Sequence, residues 1–187
     1  IVFNMFAECI TKSTQLITSN PNYVKKVVFP LEVLGIATIG GALYQGMIGL
    51  IILLIARHFS GGVITSSIIF LPILWGSYAI SLCGVCWLLS LIGVLIKDVG
   101  QIMGSLVSVM IFISPVFYPK ELVPETINWI AEINPIAYVI TETRVILIKG
   151  EVPDPALLTI FSLCSIIICE IAIRILKQNQ RKLGDWL

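Results

Sequence analysis

Few residues of this chain are equipped for redox, metal or covalent chemistry: its 187 residues include five cysteines and one histidine. Cys83 and Cys86 form a C-x-x-C, a spacing that in a soluble protein serves dithiol exchange or supplies half of a zinc site. Here the pair lies inside SYAISLCGVCWLLSLIGV, with no histidine or second cysteine pair beside it. Cys9, Cys164 and Cys169 also lie in largely apolar runs, and all five read as small, reduced packing thiols. His58 falls in the polar break ARHFSGG and reads as solvated or at headgroup level. The sequence contains no H-E-x-x-H or G-x-S-x-G, nor an acidic cluster suited to holding a metal and a diphosphate. It also lacks G-x-x-x-x-G-K-[ST], so neither an enzyme activity nor a nucleotide site of its own is expected, and no metal is expected.

The elements that would position any site are set by composition. The chain is 57% hydrophobic and 12% charged, with mean hydropathy +0.99. A soluble domain is about 25% charged, so this is an integral membrane protein. A net charge of +1 gives no case for nucleic acid as a partner. Because about 20 apolar residues cross a bilayer as helix, the chain divides readily. Residues 1–17 read as the closing part of a spanning helix, with Glu8 and Lys12 as an i,i+4 pair snorkelling at the interface. Val33 to Ala56 is the clearest span, broken mainly by Gln45. Val63 to Ile96 is too long for one upright crossing and predicts a kinked helix through Pro72 and its glycines. Its small residues Gly76, Ser77, Ala79, Ser81 and Gly84 predict close helix packing. Ile102 to Phe117 and Pro155 to about Leu176 complete the set. Charged residues within these spans are expected towards the cytoplasmic ends, which disfavours proton or sodium coupling.

Between the last two spans runs YPKELVPETINWIAEINPIAYVITETRVILIKG, too polar to cross and too apolar to leave the membrane. Pro124 predicts a first short helix carrying Trp129. Asn134 as N-cap, Pro135 as first helical residue and Gly150 as terminator predict a second. A re-entrant pair forming an outer gate fits this pattern, and an amphipathic hairpin lying on the outer surface is the alternative. The basic residues Lys25, Lys26, Arg174, Lys177, Arg181 and Lys182 predict that the first loop and the C-terminus are cytoplasmic, with 118–155 outside. Residue 1 then starts outside, which requires an earlier crossing if the protein's N-terminus is cytoplasmic.

Three stretches, SNPNYVKKVVFPLEVL, LIKDVGQI and ISPVFYPKELVPETINWIAEINPIAYVI, occur in the order found in a known family. In them the chain resembles the permease subunit of type-2 ABC exporters, most closely the group exporting O-antigen, capsular polysaccharide or teichoic acid. The resemblance implies an all-α polytopic helical bundle of a six-span permease, with two re-entrant outer gate helices. Residues 1–187 would form a single transmembrane permease domain lacking the interface helix and first span. Gly35 departs from the pattern, which has proline there, and leaves open the angle at which the following helix enters the membrane.

The same resemblance implies an inner-membrane, multi-pass bacterial protein that pairs with a second copy of itself and binds two copies of an ABC ATPase subunit. ATP and Mg2+ would sit on that partner, and the cargo would be a lipid-linked glycan moving among membrane lipids. Asn20, Pro21, Asn22, Tyr23, Val24, Lys25 and Lys26 would form the ATPase-coupling loop, with positive-inside anchoring as the other role for the two lysines. Phe112, Phe117 and Tyr118 are candidates to line the sugar path, as are Trp75, Tyr78 and Gln45. Trp75 and Tyr78 also suit an interfacial aromatic belt. Pro119, Pro124, Trp129, Asn134, Pro135 and Tyr138 would belong to the outer gate. An exporter of drugs or small lipids is the alternative within this fold. A membrane-embedded envelope-assembly transferase and a structural scaffold are alternatives outside it.

Overall fold

The computed structural model describes residues 1–21, 30–62, 65–96, 98–117 and 133–186, and every regular element among them is helical. In chain order these are α1 (Val2–Ser13), α2 (Glu32–Phe59), a 3-10 turn (Ser66–Phe70), α3 (Leu71–Leu95), α4 (Val99–Ile113), α5 (Pro135–Arg144) continuing into a π turn (Val145–Lys149), and α6 (Pro155–Trp186). Among the described residues, three segments are long and apolar enough to cross a membrane: Glu32–Phe59, Ser66–Leu95 and Pro155–Gln180. The chain is therefore an all-α polytopic membrane bundle.

The helix boundaries have local causes. Pro72 lies in the first turn of α3, where its missing N–H costs nothing, and the 3-10 turn precedes it. The discontinuity expected within residues 63–96 therefore falls where α3 begins. α6 opens with Pro155 and is capped by Asp154, whose Oδ1 accepts from the Ala156 N–H at 2.9 Å. It runs well past Leu176. α4 starts three residues earlier than expected and stops at Ile113, because the chain turns at the fully buried Ser114 and Pro115. Its 15 residues cover roughly 22 Å, short of the about 30 Å of a bilayer core.

α3 is the centre of the bundle and packs most extensively against α6. Gly84 brings the α6 backbone close, since a Cβ there would lie 3.1 Å from backbone atoms of Cys169, and Ser77 Oγ meets Ser162 Oγ at 2.7 Å. Gly76, expected to serve close helix packing, instead faces open space. α1 packs parallel to α3, and Tyr78 Oη donates to the Val2 carbonyl at 3.4 Å. At the other end of α1 a Cβ on Gly93 would fall 1.9 Å from the Thr14 carbonyl oxygen. The five cysteines are all free, and Cys9 and Cys86 are fully buried.

At the Lys177 end of the bundle, Ile17 and Leu31 pack with Trp87, Leu91, Ala172 and Leu176. Trp87 Nε1 donates to the Glu32 carbonyl at 3.1 Å, and Lys177 lies 3.6 Å from the Glu32 carboxylate. A Cβ on Gly35 would sit 2.4 Å from Trp87 Nε1, so the absent side chain is what admits the indole beside α2. The departure at Gly35 is thereby matched by a partner in this chain.

Candidate functional site

Helix α5 is built as its sequence predicts. Asn134 Oδ1 accepts from the Ile136 N–H at 2.9 Å, Pro135 fills the first helical position, and Gly150 ends the π turn at φ 73°. Glycine is required at 150 for a second reason, because a Cβ would meet Thr65 Oγ1 at 2.5 Å. The face formed by Ile136, Val139, Ile140, Thr143, Ile146 and Leu147 is buried against the bundle.

Polar contacts tie α5 and its π turn to four other segments. Asn134 Nδ2 donates to Ser114 Oγ at 3.1 Å, and Arg144 Nη2 donates to the Val116 carbonyl at 2.7 Å. The turn after α4 is thus clasped by the N-cap and the last residue of α5. Trp75 Nε1 of α3 donates to Thr143 Oγ1 at 3.2 Å. Two carbonyls of the π turn are met from the opposite side: Ser67 Oγ donates to Ile146 O and Arg57 Nη2 to Ile148 O, both at 3.2 Å. The last carbonyls of a helix have no partner within it, and at membrane depth a side chain must supply one. A cavity of about 220 Å³ opens under α5, with Trp75, Val116, Ile140, Thr143, Arg144 and Leu147 among its walls.

Residues proposed from sequence occupy different settings. Asn134 and Pro135 open α5, and the Tyr138 ring packs against Phe161 at a tilt, with ring centroids 5.1 Å apart. Burial, with the Glu142 and Asp154 carboxylates, pushes the Tyr138 hydroxyl up to about 12, and that hydroxyl is buried without a hydrogen bond among the described residues. Tyr138→Phe removes a desolvated group and keeps the ring. Thermal melting in detergent should therefore place it within about 0.5 kcal/mol of the wild type, or above it.

Phe112 and Phe117 flank the clasped turn and are 72% and 74% exposed, open to a path or to lipid. Trp75 and Tyr78 are instead taken up in helix packing, Trp75 at the wall of the cavity and Tyr78 against α1. Gln45 is exposed and lines a groove between α1 and α2. Asn20 and Pro21 follow α1, with Asn20 Nδ2 donating to the Leu16 carbonyl at 2.9 Å. Asn22, Tyr23, Val24, Lys25, Lys26, Tyr118, Pro119, Pro124 and Trp129 lie outside the described residues.

Sequence reasoning missed Arg57, Ser67, Ser114, Thr143 and Arg144 as members of the clasp. Periodicity cannot find them, because they come from four segments. The available signal was chemical: Arg57 and Arg144 stand at the borders of apolar runs beside helix ends in need of donors.

The family model for the ABC-2 type transporter matches residues 1–148. The chain belongs to that family. Two relatives of this ABC-2 chain, both from Klebsiella pneumoniae and both called O-antigen export system permease protein RfbA, are 26% and 25% identical to it over 153 residues. Each alignment covers 78% of the chain and 56% of the relative, so the chain spans little more than half the length of these curated relatives.

Proposed function

We propose that this ABC-2 chain belongs to the transmembrane subunit of an ATP-driven exporter of lipid-linked polysaccharide, O-antigen or capsule-like, in a bacterial inner membrane. ATP and Mg2+ are handled by a separate ATPase subunit present in two copies, and the permease works as a pair. The observation carrying this reading is α5: ten residues, too short to span, yet bound at its ends to the turn after α4, to the 3-10 turn and to α2. An anchor or scaffold has no need of such a helix, whereas an exporter needs an outer gate tied to the helices that move. The printed names of the two relatives support polysaccharide as cargo.

Coupling is assigned to the loop after Asn20. Its two stems, through Ile17 and Leu31, rest in the cluster with Trp87 and Leu176, so a push on the loop would load α3 and α6 directly. The experiment is co-purification of the full-length permease with the ATPase encoded beside it, with and without Tyr23→Asp plus Val24→Asp. A carboxylate facing an apolar docking pocket costs several kcal/mol, so the double variant should lose the ATPase while still reaching the membrane. A wild-type permease that retains no ATPase overturns the exporter reading.

A further inference from the structure

Two contacts of different kinds leave the first residue of α2. Glu32 opens that helix shortly after the loop to which coupling is assigned. Its carbonyl accepts from Trp87 Nε1 at 3.1 Å, and the indole is seated in the notch left by Gly35. That contact is neutral and enclosed, with Leu31, Trp87 and Leu91 all buried in one cluster. It fixes the stem of the loop to α3.

The second contact is made by the carboxylate, and it reaches α6. Lys177 Nζ lies 3.6 Å from Glu32 Oε1, attracted by charge but beyond the usual length of a hydrogen bond. The lysine side chain is 57% exposed and the carboxylate 20%. Glu32 Oε2 is buried and makes no hydrogen bond among the described residues. The carboxylate is therefore only half satisfied, and a pair open to water on one side is weak and screened by salt. α6 packs extensively on α3 but not on α2, so little else holds α2 to α6 when the pair parts. Leu176 is the last buried residue of α6 among those described, yet the helix runs on to Trp186, roughly 15 Å further. Lys177 is thus the first residue of an overhang beside the stem.

We propose that Glu32 and Lys177 form a breakable ionic strap between the stem of the loop after Asn20 and the overhang of α6, closed in the resting permease and opened when the loop is displaced. The inference rests on the ATP-driven exporter reading and adds to it the contact that sets how readily the loop moves. Trp87 carries motion of the stem to α3 whether the strap is closed or open. The overhang of α6 follows the stem only while it is closed.

The test is hydrogen exchange on the full-length permease in lipid nanodiscs, read at the amides of residues 33–36. Val33 and Leu34 donate to the Pro30 and Leu31 carbonyls, both at 3.1 Å, so these amides report on the stem. E32Q and K177A should each exchange about threefold faster than the wild type, the effect of losing one partly exposed ion pair. E32Q/K177A should be no faster than either single variant, because both remove the same contact. The reversed pair, E32K/K177E, should return to the wild-type rate. Raising salt from about 0.05 to about 0.5 M should speed the wild type towards the variants and leave the variants unchanged. Single variants at the wild-type rate overturn the proposal, and so does an additive effect in E32Q/K177A, which decides the matter even where E32K/K177E does not fold. In the complex with the ATPase, ATP should speed the same amides in the wild type and not in K177A; a wild-type complex indifferent to ATP removes the strap from the loop's movement. Failure of the exporter reading is seen separately, as a wild-type permease that retains no ATPase.

Discussion

Gly93→Ala should lower the melting temperature of the purified permease by about 6–12 °C, the equivalent of about 3 kcal/mol in a domain of this size. The methyl group would be built 1.9 Å from the Thr14 carbonyl oxygen and 2.8 Å from its carbonyl carbon. Both are backbone atoms, so no rotamer change relieves the overlap. The end of α1 must move away from α3, and it carries Ser13 and Thr14, both buried. The neighbouring stem, Ile17, belongs to the cluster from which the proposed coupling loop springs. ATPase association should therefore weaken along with stability. Gly76→Ala is the internal control. No atom lies within 4 Å of a Cβ there, and alanine is the better helix former by about 0.5–1 kcal/mol. Melting of the two variants in detergent, followed by size-exclusion profile, checks the pair. A Gly93→Ala protein as stable as the wild type would show that α1 and α3 do not touch at this point.

Arg144→Ala should release the turn after α4 from α5. A hydrogen bond from a charged donor contributes about 1.5–3 kcal/mol, and the 2.7 Å bond to Val116 O comes from a guanidinium in a partly buried setting. Loss of about 2 kcal/mol changes the population of the clasped state about 30-fold. Hydrogen exchange across 114–117 should accelerate accordingly, and export should fall while the ATPase still co-purifies. Arg144→Lys should recover only part of the loss, because an ammonium on a flexible stem does not reproduce the planar fork of donors. Unchanged exchange across 114–117 in Arg144→Ala would remove the clasp from the mechanism.

The helices themselves were largely legible. Apolar runs of the right length announce α2, α3 and α6, and Asn134, Pro135 and Gly150 mark the ends of the helix that carries the site. Each of these signals is local: a run either reaches across the hydrocarbon or not, a side-chain oxygen caps its own helix, and a left-handed residue stops it. α4 was misjudged at both ends for a related reason. Apolar composition continues past Ile113 through Ser114 and Pro115, and only the partners of that turn, Asn134 and Arg144, show why the helix stops there.

Composition and motif thus settle on their own that this is a polytopic helical membrane protein, and residues 1–148 carry the ABC-2 signature. Three things depended on tertiary packing. Trp75 and Tyr78, plausible as path-lining aromatics, are buried between helices. Gly93 and Gly35 prove to be contact points with Thr14 and Trp87, whereas Gly76 faces open space. Glu8 lies beside Ala42 and Gln45 in a groove between α1 and α2. In each case the deciding quantity is the register between two helices distant in sequence. Helical periodicity shows which residues share a face, but the depth and neighbours of that face are set by the side chains of another helix.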